Sequence, residues 1–254
     1  MSAGDGRTDR HGRTDRLELA DATLREWDAT VLAASSEAIV LDRSAFYPGG
    51  GGQPPDHGVL LWGGVQTRIV GVRRGDDLEL VPAEDDPLPP AGTSVRGAVE
   101  DARRTALMRT HTSLHLLSGV VFRDFGALVT GGNMEPLEGR LDFNLEALPE
   151  GFKDAIAAAC AQEVAADRAI AVYSLPREKA FEIPDIIRTA TNLLPPELEV
   201  VRLVDIDGLD VQADGGTHVA STRFIGPMEI VKVENKGKGF RRIRVRLAPG
   251  TPAR

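Results

Sequence analysis

Leu107-Met-Arg-Thr-His111-Thr-Ser-Leu-His115-Leu-Leu-Ser-Gly-Val-Val121 is the stretch in which the hydrophobic period of this chain changes. Leu107, His111, Leu114, Ser118 and Val121 recur at helical spacing. Upstream lie short strand-like runs at Thr30–Ala34, Ala38–Leu41, Gly58–Leu61, Thr67–Val72, Asp77–Val81 and Ser94–Val99, separated by Gly, Pro and Asp clusters. Such spacing predicts a small barrel or sandwich. Downstream, Phe152, Ile156, Cys160 and Val164 again follow a helix, and Ile186–Leu194 after Pro184 reads as a short helix. Strands are expected at Val200–Asp205, Met228–Glu234 and Arg242–Leu247. Helices mixed with strands in this second half give an α+β class.

At 254 residues the chain has room for one large or two smaller domains. No apolar run approaches the roughly 18 residues of a membrane helix, and no signal peptide is visible. Cys160 is the one cysteine, so an internal disulfide is excluded, and its alanine-rich helical setting suits a buried structural role. These features favour the cytoplasm. Gly6-Arg-Thr-Asp-Arg10 repeats as Gly12-Arg-Thr-Asp-Arg16, and residues 1–16 read as a charged, disordered tail. The net charge of −8 argues mildly against a nucleic-acid partner. Lys232–Arg246 runs against that balance, with Lys232, Lys236, Lys238, Arg241, Arg242, Arg244 and Arg246 against Glu234 alone. Local charge decides phosphate binding; the competing reading is a solvated strand face.

Three of the five histidines fall in two pairs with four-residue spacing, His111-Thr-Ser-Leu-His115 and Asp214-Gly-Gly-Thr-His218. Positions i and i+4 share one helix face, so His111 and His115 can hold one metal, and a second pair on a glycine turn can complete it. The Glu of a metalloprotease HExxH helix is missing. Phe46-Tyr-Pro-Gly-Gly-Gly-Gly-Gln53, followed by Asp56-His-Gly58, is not a P-loop. Its glycines permit close backbone approach, either as a flexible turn or as a loop that Tyr47 and Gln53 fix against the metal site.

Taken in order, these motifs carry a resemblance. Phe46-Tyr-Pro with Gly-Gly-Gln53 and Asp56-x-Gly58, His111-x-x-x-His115-Leu-Leu, Leu141-Asp-Phe143, Gly215-Gly-Thr-His218-Val and Asn235-Lys-Gly-Lys-Gly-Phe-Arg-Arg-Ile243 resemble the editing domain of alanyl-tRNA synthetase and its free-standing AlaX relatives, over roughly residues 20 to 247. The resemblance implies a small β-barrel at residues 17–95 and, at 96–254, an α/β editing domain with helices on an antiparallel sheet. It implies hydrolysis of the ester joining serine, and as a further candidate glycine, to alanine tRNA. With no room for an aminoacylation core before residue 96, editing in trans is expected.

The same resemblance implies zinc held by His111, His115, His218 and Asp214, with the three histidines as the catalytic residues. Many relatives have cysteine where this chain has Asp214. Asp214 therefore either completes the site with a harder ligand or leaves the metal to orient a water or an imidazole. Asp210 and Gln212 are candidate supporting groups. Thr130, in Leu128-Val-Thr-Gly-Gly132, is the candidate reader of the serine hydroxyl. Tyr47, Gly50, Gly51 and Gln53 would border the substrate, and Lys236, Lys238, Arg241 and Arg242 would hold tRNA phosphates. Two rival functions are a non-catalytic tRNA-binding module with a structural metal, and a metal-dependent hydrolase of a small ester or amide. Oligomeric state is not encoded in any recognisable pattern.

Overall fold

The computed structural model describes residues 10–192 and 194–250. The chain divides into two units, one holding the residues up to Gly50 with Pro54–Arg104, the other holding Gly51–Gln53 with Thr105 onward.

The first unit opens with β1 (Arg10–His11), β2 (Thr14–Arg16) and the single turn α1 (Leu17–Ala20). Residues 1–9 of the expected tail lie outside the described residues. Arg10–Arg16 departs from that expectation. β1 and β2 pair antiparallel, and β2 pairs in parallel with the later β5 (Arg43–Ser44). Thr14 is buried and donates to Leu41 O at 2.7 Å, and Arg16 bonds the buried Glu18. Local charge misled the sequence reading here because Arg13 is paired with Asp77 and Arg16 with Glu18.

β3 (Glu26–Ala34), β4 (Ile39–Leu41), β6 (Gly58–Trp62), β7 (Val65–Arg74), β8 (Leu78–Pro82) and β9 (Ser94–Val99) close a barrel in the order β3-β4-β8-β7-β6-β9. The period of two is visible in β3, where Trp27, Ala29 and Val31 turn inward and Glu26 and Asp28 face out. Ile39, Leu41, Leu60, Ile69, Leu78 and Leu80 fill the interior. Because β9 supplies the closing strand, the unit runs to Arg104, past the boundary expected at residue 95.

The base of the glycine-rich loop is fixed inside this unit. Asp56 accepts the Tyr47 N–H at 2.7 Å and is paired with Arg104, and both side chains are fully buried. Arg104 also donates to Ala22 O and Ala45 O, so each of its three nitrogens has an acceptor. Gly58 is required by close approach, since a Cβ there would collide with Ala98 O and the Phe46 ring.

In the second unit, α2 (Asp101–Phe125, from Thr105 on) is the central element. Every residue from Ala106 to Val121 is buried, so it has apolar or self-satisfied polar groups all round rather than one stripe. β10 (Val129–Glu135), β11 (Glu138–Phe143), α3 (Phe152–Ala165), β12 (Ile170–Pro176), α4 (Arg177–Ala180), β13 (Val200–Ile206), β14 (Asp210–Ala213), a 3-10 turn at Thr222–Ile225, β15 (Met228–Asn235) and β16 (Arg241–Leu247) follow. They form an antiparallel sheet β10-β11-β16-β15 and a second sheet β12-β13-β14. α2 lies close on the first, where a Cβ at Gly139 would come within 3.1–3.3 Å of Leu114 and Thr110. On its other side it meets the β13–β14 turn, where a Cβ at Gly119 would lie 2.9 Å from Asp210. The α+β class holds.

Ile186–Leu194 is not a helix; its described residues are irregular backbone, bends and an isolated bridge. Its backbone is committed elsewhere: Arg188 O accepts from Val129, Ala190 N–H donates to Val129 O, and Ile186 O accepts from Ala213. These bonds replace the i→i+4 ladder a helix needs.

Removing one partner of a buried ion pair leaves an unpaired charge. Asp56→Ala should destabilise the protein by about 3–5 kcal/mol in denaturant unfolding. Arg96→Ala, which breaks an exposed pair with Glu26, should leave the unfolding midpoint close to that of the wild type.

Candidate metal centre

His111 and His115 lie one helical turn apart in the buried middle of α2. Asp214 and His218 lie on the loop that leaves β14. One ligand atom from each of the four lies within 4.8 Å of all the others. Asp214 is the hub: its Oδ1 is 3.5 Å from His111 Nε2 and 3.9 Å from His115 Nε2, and its Oδ2 is 3.1 Å from His218 Nε2. Ligands around one tetrahedral zinc, with bonds of about 2.0–2.1 Å, would be separated by roughly 3.3 Å.

Hydrogen bonds set the imidazole tautomers. Gln53 Nε2 donates to Thr217 Oγ1 at 2.9 Å, and Gln53 Oε1 accepts the Thr217 N–H at 3.1 Å. That oxygen also faces His111 Nδ1 at 2.9 Å, so Nδ1 must carry the proton and Nε2 the lone pair. Thr112 Oγ1 gives its only proton to Met108 O at 2.8 Å and accepts the Val219 N–H. Its contact with His218 Nδ1 at 3.2 Å is therefore a bond received, which leaves His218 Nε2 unprotonated as well. His115 Nδ1 is buried with no partner among the described residues.

Electrostatics point the same way. Burial pushes His111, His115 and His218 down to about 4, against a smaller upward pull from Asp214. Burial raises the Asp214 carboxyl, but positive charge at the site, from a protonated His111 first and then at the His218 contact, outweighs it and holds it well below the usual carboxylate range; with the rings neutral, a metal cation would take over that role. At neutral pH, lone pairs on imidazole nitrogens thus face an ionised carboxylate, a repulsive arrangement that a divalent cation relieves. Three neutral imidazoles and one carboxylate suit zinc, so the residues fit that ion.

Glycines let the loops meet. A Cβ on Gly216 would land on the His111 ring, and the Gly216 N–H is bonded to Asp214 Oδ2 at 2.5 Å. Gly51 has φ +59° and would bring a Cβ to 3.4 Å from Asp214 Oδ1, so a side chain there would crowd the most exposed ligand. Gly52 lies against Gly132 O and Asn133, which ties the glycine loop to β10.

A family model described as the threonyl and alanyl tRNA synthetase second additional domain matches residues 201–244. An alanyl-tRNA editing protein AlaX-M of Saccharolobus solfataricus is 36% identical over 241 residues, covering 93% of this chain and 100% of that protein. The AlaX-M protein of Methanosarcina barkeri is 34% identical, covering 91% of this chain and 97% of its own. This chain belongs to the AlaX-M family of alanyl-tRNA editing proteins. It also matches the alanine–tRNA ligase of Pyrococcus furiosus, at 33% identity over 91% of this chain but only 25% of the ligase.

Thr130 is exposed on β10 at a β-bulge, where Val129 pairs with Phe143 and Gly131 with Asp142. Bulges re-aim side chains. Tyr47, in the first unit, is buried with its hydroxyl on Gly50 O at 3.1 Å, a turn-holding position. Asp210 is bonded by Arg188 and Gln212, not by the four clustered residues. Arg242 is committed to Asp142 by two bonds of 2.6 and 2.7 Å, and Arg241 to backbone carbonyls including Glu146 O. Lys236 and Lys238 are exposed and form no ion pair among the described residues. Sequence reasoning missed Thr112 and Thr217, whose only signal was adjacency to His111 and His218.

Zinc affinity should fall roughly 10–100-fold in Gln53→Leu and in Thr112→Val, because each loses an imidazole anchor. Gly216→Ala should abolish binding. Affinity should be nearly flat from pH 7 to about pH 5 and be lost as pH falls through about 4, where protons compete for the imidazoles. Titration calorimetry with a competing chelator measures all three; equal affinity in Gln53→Leu and wild type contradicts the anchoring role.

Proposed function

We propose that this chain edits alanine tRNA in trans by hydrolysing the ester of wrongly attached serine, with the glycyl ester as a second substrate to test. The observation that carries this reading is the buried His111, His115, His218 and Asp214 cluster, with Nε2 of His111 and His218 held free, in a chain that spans the full length of free-standing editing relatives.

Zinc, when bound by those four residues, supplies a Lewis acid for an ester carbonyl or a water. Gln53 and Thr112 hold His111 and His218 in the ligating tautomer. Gly51 leaves Asp214 Oδ1 uncovered by any side chain of its own, so the carboxylate can ligate or turn toward a water. Thr130 offers a hydroxyl from its bulge to the serine side chain. A site that excludes by size cannot strongly reject an isostere that adds only a hydroxyl, whereas a second site can bind that hydroxyl positively. The lysines of the β15–β16 turn would hold phosphates, making binding salt-sensitive.

A second reading rests on the fourth protein ligand. Catalytic zinc keeps a position open, so a site closed by Asp214 would suit a non-catalytic tRNA-binding module. Deacylation of seryl- and alanyl-tRNA(Ala), with zinc measured on the same samples, separates the two. Editing predicts rapid serine release, slow alanine release and loss of zinc and activity together in His111→Ala/His115→Ala. Bound zinc and tRNA without ester cleavage would overturn the editing reading in favour of the module.

A further inference from the structure

The turn joining β15 to β16 is built as a rigid platform. Lys236 N–H donates to Phe240 O at 3.1 Å, and Phe240 N–H donates to Gly237 O at 3.2 Å. Gly237 and Gly239 take φ of +122° and +81°, conformations that favour glycine. The Arg241 guanidinium then staples the turn, donating to Asn235 Oδ1, Gly237 O, Phe240 O and, at 2.6 Å, Glu146 O. So much bonding restrains a segment that has little apolar burial of its own.

This platform displays Phe240, 44% exposed. Its sequence neighbours in the turn are two glycines and the exposed Lys236 and Lys238. An apolar protein partner would have to desolvate those unpaired ammonium groups. A nucleic acid presents what this combination recognises, a π-face for the ring and phosphates for the lysines.

Register gives the location. Val129, Phe143 and Arg241 lie opposite one another across β10, β11 and β16. The turn is therefore at the same end of the sheet as the Thr130 bulge, two strand spacings away, or roughly 10 Å. That is a distance of a nucleotide or two.

We propose that Phe240 is a base-stacking residue for an unpaired nucleotide at the aminoacylated 3′ end of tRNA, flanked by Lys236 and Lys238 as phosphate contacts. This rests on the editing reading above. It assigns the phosphate contacts to the turn lysines and withdraws Arg242, whose guanidinium is held by Asp142.

The test measures affinity of the zinc-loaded full chain for uncharged tRNA(Ala), intact and lacking its unpaired 3′ nucleotides, across salt concentrations. Phe240→Ala should weaken binding to intact tRNA about 5- to 150-fold, the equivalent of about 1–3 kcal/mol for one stacked base. Its salt slope should match wild type, and the loss should vanish on the truncated tRNA. Lys236→Ala/Lys238→Ala should instead lower the salt slope by about 1.4. Phe240→Trp should retain affinity, with the added indole's emission quenched by intact tRNA only. Unchanged affinity in Phe240→Ala, or an equal loss on both tRNAs, overturns the proposal, as would loss of self-association alone. If wild type binds and deacylates normally while Phe240→Ala is silent, this inference fails and the editing reading stands; if wild type binds tRNA and does not deacylate, the editing reading fails by itself.

Discussion

Asp214 is the charge around which the second unit is arranged. A carboxylate buried beside three buried imidazoles is costly unless a cation joins them. Burial lowers the basicity of the imidazoles, so at neutral pH they do not supply that cation by taking up protons, and Gln53 and Thr112 leave Nε2 of His111 and His218 free for a metal. Other features follow from that constraint. Gly216 is bare so that its peptide can approach His111, and Gly51 is bare beside Asp214. α2 is buried all round because it carries two of the ligands and two of the hydroxyls that bond them or its own carbonyls.

Gln53 makes the glycine loop part of the site. Its amide reads Thr217 with both ends, and the same Oε1 also holds His111. One side chain thus links the glycine loop, α2 and the Asp214–His218 loop within the second unit. The loop's glycines serve this by bringing Gly52 against Gly132 and Asn133 of β10.

The ligand set was legible in the sequence because i, i+4 pairing is a local rule and histidines are few. The barrel strands were legible because one face of each is buried; β9 matches its expected span and the others lie within a few residues of theirs. What orients the ligands was not legible, since Gln53 and His111 are 58 residues apart and Gln53 and Thr217 are 164 apart. β10 and β11 escaped because Val129-Thr-Gly-Gly-Asn-Met-Glu135 lacks apolar alternation and owes its extended form to its neighbours. Ile186–Leu194 carried apolar residues at helical intervals, but its backbone bonds go to Val129 and Ala213. Composition did not show which charges of the basic segment are paired, since Asp142, Glu234 and Glu138 meet Arg242, Arg244 and Arg246 only in the folded sheet.

The most direct test is a long-range ¹H–¹⁵N correlation spectrum of the histidine rings, taken with one equivalent of zinc. Neutral rings for His111, His115 and His218, with His111 and His218 protonated at Nδ1 and all three Nε2 resonances shifted by the metal, are the predicted result. An Nε2–H tautomer at His111 or His218, or ring signals unmoved by zinc, would contradict the account.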